Sequence, residues 1–133
     1  MAIPNGGGGY QIGAGNPSEA QLLVQAAPVD ITGDVTLTGA QLATGLFVVD
    51  TGADATATLP TVALTEQAIP NAQKVGSAFD IWVCNKDASY QVTIAAGTGW
   101  TIVGNAVVLE NTSATFRARK TADGAWSLYR IAG

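Results

Sequence analysis

The chain has 133 residues, a formal net charge of −4 and no histidine, with 47% of its residues apolar and only 12% charged. A single cysteine, Cys84, excludes an internal disulfide framework and a cysteine-based zinc site, and the missing histidine excludes Ser-His and Cys-His catalysis and His-ligated metals. So little charge falls short of what coats a typical monomer of this size, which implies that part of the outside is covered by another copy or a partner.

The charge is unevenly placed. Six acids, Glu19, Asp30, Asp34, Asp50, Asp54 and Glu66, precede the first base, and four of the six bases, Arg117, Arg119, Lys120 and Arg130, fall near the C-terminus. With no basic face, nucleic acid is not expected as a partner. No apolar run reaches the length of a membrane-crossing helix, and the Gly-rich start lacks the order of a signal peptide, so no membrane partner is expected either.

Residues 1–29 read as an N-terminal arm, because "MAIPNGGGGYQIGAGNPSEAQ" is rich in Gly, Pro and Asn and has no sustained periodicity. Within it "YQIG" offers a short strand, with Tyr10 and Ile12 on one face. The tetraglycine Gly6–Gly9 lacks the Lys-Ser or Lys-Thr of a phosphate loop, and "GAGNPS" lacks the third glycine of a dinucleotide fingerprint, so neither is a cofactor site.

Residues 30–133 read as one all-β domain with one or two short helices. "DVTLTG" alternates, and "TGAQL" carries a Thr-x-x-Gln capping box that predicts a helical turn. "LFVV" and "ATATL" read as strands. "PTVALTEQAIP" predicts a helix capped by Thr61 and ended by Pro70. "AFDIWVCN", "YQVTIAA", "SATFRARK" and "AWSLYRIA" follow as strands, the last two joined by an Asp123-Gly124 hairpin turn. Phe116 faces the core in that hairpin, and Thr115, Arg117 and Arg119 face outward. About eight short strands fit a β-sandwich or jelly-roll, and no internal repeat is visible.

One motif points elsewhere. "VVDTGA" matches the catalytic turn of retroviral-type aspartic proteases, with Asp50 in the catalytic place, and "TIVGN" (Thr101 to Asn105) echoes the run that supports that turn. Such an enzyme needs two carboxylates sharing a proton, hence a dimer. It also needs a Gly-rich flap after the catalytic turn, where this chain has a helical pattern instead. Asp and Gly as turn formers between two strands account for the same letters.

The acids lack the Asp-x-Asp spacing of a calcium loop, so no metal is expected. Trp82, Trp100 and Trp126 could line a sugar platform, but no polar cluster accompanies them, and core or interface positions are favoured. Alternation turns Trp82 away from Ile81, and Cys84, on the Trp82 side, is expected as a small packed hydrophobe. Asn111-Thr112-Ser113 is a formal sequon and predicts an exposed segment.

The order "LTGAQLATGLFVVD…ATATLPTVALTEQAIPNAQKVGSAFDIWVCNKDASYQVTIAAGTGWTIVG" resembles capsid decoration, or cement, proteins of tailed bacteriophages, over about Thr36 to Ile131. The resemblance implies a non-enzymatic jelly-roll or sandwich subunit without cofactors. Its implied partners are itself, as a homotrimer or less often a homodimer, and the major capsid protein. It would assemble in the host cytoplasm onto the outside of an icosahedral shell and staple neighbouring capsomers. Tyr10, Gln11 and Ile12 are the candidates for shell contact, and Trp82, Arg117 and Arg119 for the oligomer interface. A dimeric protease acting through Asp50, and another virion part such as a tail or host-surface-binding module, stand as alternatives.

Overall fold

Short runs of Val, Thr, Ile and Ala form strands because β-branched side chains suit the pleated backbone, and Gly, Asp and Asn break them into pieces. In the computed structural model, which describes residues 22–133, these pieces are β1 (Val29–Ile31), β2 (Val35–Thr36), β3 (Leu46–Val49), β4 (Ala55–Thr58), β5 (Ala78–Asn85), β6 (Val92–Ala95), β7 (Trp100–Val103), β8 (Val107–Val108), β9 (Thr112–Ala122) and β10 (Ala125–Ala132). Two helices, α1 (Gly39–Thr44) and α2 (Val62–Ala68), lie before β3 and before β5.

The fold is mostly β, and both sheets are mixed. One has six strands in the order β1-β3-β5-β9-β10-β7, the other four in the order β2-β4-β6-β8. From β1 to β8 the chain changes sheet at every connection. Among β1 to β6, strands next to one another in a sheet are therefore two apart in the chain, and they run the same way. β1, β3 and β5 pair in parallel, as do β2, β4 and β6. Antiparallel pairing enters with β5–β9, β6–β8 and the β9–β10 hairpin, whose Gly124 turns at φ 74°.

The parallel part is a stack of three strand–turn–strand rungs: 29–36, 46–58 and 78–95. Aspartates tie the rungs together. Asp34, just before β2, accepts a hydrogen bond from the Thr56 amide of the next rung at 2.8 Å. Asp54, just before β4, accepts one from the Gln91 amide at 3.2 Å. Val35 is in register with Ala57, and Ala55 with Val92, so Asp34 lies opposite Thr56 and Asp54 opposite Gln91, and each aspartate bonds the amide it faces in the next rung. A repeat is present in the backbone, although the letters show none.

Inward side chains of both sheets join one core. Phe47, Val49, Ile81, Val83, Phe116 and Leu128 come from the larger sheet and Ala57, Val92, Ile94 and Val108 from the smaller. Burying each large side chain stabilises the fold by about 1.5–3 kcal/mol. Both helices start as their sequences require. Thr38 and Gln41 form the reciprocal capping box of α1, Gly45 ends it at φ 77°, and Thr61 caps α2 by accepting from the Leu64 amide.

Candidate functional site

The Asp50 turn joins β3 to β4 at a corner of the second rung. Its carboxylate lies on the surface, 3.3 Å from the ammonium of Lys86. Thr51 is buried, and its amide donates to Asp87 of the next rung at 3.0 Å. Asp87 also accepts from the amides of Ser89 and Tyr90, at 2.7 and 2.9 Å. These amide donors, Ser89 foremost, hold the Asp87 carboxyl below its ordinary range. "TIVGN" falls on β7 and the turn after it. In the larger sheet β5, β9 and β10 separate β7 from β3, so the two protease-like segments are not brought together. At about 4.8 Å per strand they are roughly 19 Å apart.

The outer face of the six-stranded sheet is the second candidate. Trp82 stands on it 52% exposed, while its neighbour Ile81 is buried. Leu46 and Thr115 are in register with Trp82 on either side. One row on, Asp80 is opposite Arg117 and bonded to it by two hydrogen bonds of 2.6 and 2.9 Å. That guanidinium holds the Asp80 carboxyl below its ordinary value, and Asp80 in turn raises Arg117. Arg119, also exposed, has no salt bridge among the described residues. Trp82, Arg117 and Arg119 therefore share one exposed face. Cys84 shares it and is exposed, not packed as the sequence reading expects, because no layer among the described residues covers this side of β5.

Beside Trp82 a groove of about 380 Å³ runs between the end of α2 and β5, walled by Ile69, Pro70, Phe79 and Trp82. Gln25 lines it too and donates to the Thr44 carbonyl at 2.7 Å. Just before Gln25, Leu22, Leu23 and Val24 are 78%, 92% and 104% exposed. Tyr10, Gln11 and Ile12 lie outside the described residues.

The remaining candidates are dispersed. Trp100 and Trp126 are buried with ring centroids 5.7 Å apart, so they share no platform with Trp82. Asn111 is exposed at φ 54°. Among the described residues no three His, Cys, Asp or Glu side chains are grouped to hold a metal ion, and no helix is long and apolar enough to cross a membrane. Lys120, buried on β9, donates to the carbonyls of Ala72 and Gln73 and pairs with Glu66 at 3.2 Å. The Trp126 indole, also donating to Glu66, together with Lys120 lowers that carboxyl. Sequence reasoning missed this cluster, since one lysine in an alternating strand gives no sign of what it reaches.

No family model matches the chain, and comparisons with curated proteins and with solved structures give no significant match.

Proposed function

We propose that this chain is a non-enzymatic structural protein of a phage virion, a cement protein that binds the outside of an icosahedral capsid and staples neighbouring shell subunits. In this reading the two mixed sheets around one core form a sandwich or jelly-roll-like subunit that self-associates, and the major capsid protein is its partner. The observation that carries it is exposed apolar surface on a chain short of charge. Leu22, Leu23 and Val24 at the root of the arm and Trp82 on the outer face of the larger sheet all stand open to solvent, in a chain with 12% charged residues. Aromatic residues on rigid strands make good anchors, because little entropy is lost when they are covered. The likeness of the "TLPT…AIPNAQ…VGSAF…VTIAAGTG" series to decoration proteins supports the same reading.

The test is copy number and position. Quantitative mass spectrometry and cryo-electron microscopy of purified particles should find the chain in amounts comparable to the major shell protein, with its density on the capsid exterior. A few copies at the tail, or none in the particle, would overturn the proposal.

A further inference from the structure

Both sheets end at the same two places. β1 and β2, joined by Thr32–Asp34, are the terminal strands of their sheets at one end, and β7 and β8, joined by Gly104–Ala106, at the other. Among the described residues each end is thus an open rung whose outer backbone groups have no strand partner. The Ile31 carbonyl accepts from the Asp50 amide at 3.0 Å, so Ile31 faces β3 and the peptide groups of Asp30 face away from it. At the far end the Trp126 amide donates to the Gly99 carbonyl at 3.1 Å, and by the same alternation the peptide groups of Ile102 face away from β10. The core is half-covered at both ends, by Val29 and Val35 at one and by Ile102 and Val107 at the other.

Charge distinguishes the ends. Asp30 and Asp34 mark the first, and no base precedes Lys74 in the chain. Two first ends set face to face would oppose aspartate to aspartate, which is unfavourable. The second end carries Arg130, whose guanidinium donates to the carbonyls of Asn105 and Val107 in and beside the β7–β8 turn. We infer that copies of this chain associate head to tail, the β1–β2 end of one seated on the β7–β8 end of the next, so that both sheets continue across the boundary. Such a heterologous contact closes into a ring when the rotation permits, and three copies is the number that the resemblance to decoration proteins implies. The inference rests on the self-association in the proposed function, not on attachment to a capsid.

The full chain, sized by light scattering after gel filtration, is expected to be a closed trimer. Asp30→Pro blocks the outward edge of β1 without removing a β1–β3 hydrogen bond, and it should give a monomer with an unchanged far-ultraviolet spectrum. Asp30 and Thr101 lie on the outer face at opposite edges of the larger sheet. In a Cys84→Ser background, Asp30→Cys combined with Thr101→Cys or with Val103→Cys should form cross-linked dimers and trimers on oxidation, and no single variant should. Efficient cross-linking of Asp30→Cys alone would overturn the head-to-tail arrangement. An Asp30→Pro variant that stays oligomeric would move the interface to another face and leave self-association standing. A monomeric full chain would overturn both, and would leave the open rung to the chain's own first 21 residues or to the shell. Attachment to the particle is read separately, from copy number.

Discussion

Two neighbouring acids show how position decides what a carboxylate does. Asp50 is exposed and has Lys86 for company, a surface pair worth about 0–1 kcal/mol. Asp50→Asn should therefore leave thermal stability within about 0.5 kcal/mol of the parent and leave particle binding unchanged. A protease acting through Asp50 would instead lose all activity. Asp87 accepts from three backbone amides and joins two rungs. Its folded pKa lies below the ordinary value of 3.8, as do those of Asp80 and, against 4.5, Glu66. A depressed carboxyl stabilises the fold only while ionised. That stability is complete above about pH 5 and is lost as pH falls through the ordinary range and on through the folded value. Melting temperature followed against pH should fall steeply on the acid side, and Asp87→Asn should lower the neutral plateau and flatten that fall. An equally steep fall in the variant would put the acid sensitivity in Asp80 and Glu66.

At the scale of elements, α1 and α2 meet closely because Gly39 has no side chain. A Cβ there would sit 2.5 Å from the Leu64 carbonyl oxygen and 2.9 Å from the Ala68 Cβ. Gly39→Ala should cost about 1–3 kcal/mol by forcing the helices apart, even though alanine is the better helix former. Denaturant unfolding checks this, and a stabilised variant would show that the helices can give way. The helices were legible because caps are local: Thr38, Gln41 and Thr61 lie within four residues of the amides they serve. The hairpin at Asp123-Gly124 was legible for the same reason. The rungs were not. Asp34 and Asp54 do the same work, but α1 and a longer turn separate "DVTL" from "DATATL", and α2 with its following loop separates the second rung from the third. A repeat carried by register leaves no fixed spacing to detect. The outward face of β5 was readable from alternation, yet alternation says only which way Cys84 points and not whether another layer covers it.

For the whole molecule, the two proposed contacts use different parts of the chain, and that separation can be tested. Head-to-tail association draws on residues 29–36 and 100–108. Proposed shell attachment draws on the apolar arm root, on Tyr10, Gln11 and Ile12, and on Trp82, which the sequence assigns with Arg117 and Arg119 to an oligomer interface and which the head-to-tail arrangement leaves free for the shell. Three arms held in the proposed ring would bind with avidity, since the first to engage raises the local concentration of the others by orders of magnitude. Removing residues 1–21 should therefore leave the ring intact by light scattering but reduce its occupancy on purified particles by about 10²-fold or more at limiting protein. Trp82→Ser should give a folded ring with a smaller loss, since one anchor per copy is removed and the arms remain. Asp30→Pro should act the other way: each monomer keeps its arm and its Trp82, but binds with single-site affinity and washes off. If the truncated chain decorated particles as well as the full one, attachment would belong to the sheet face alone, and Trp82→Ser would then have to abolish it.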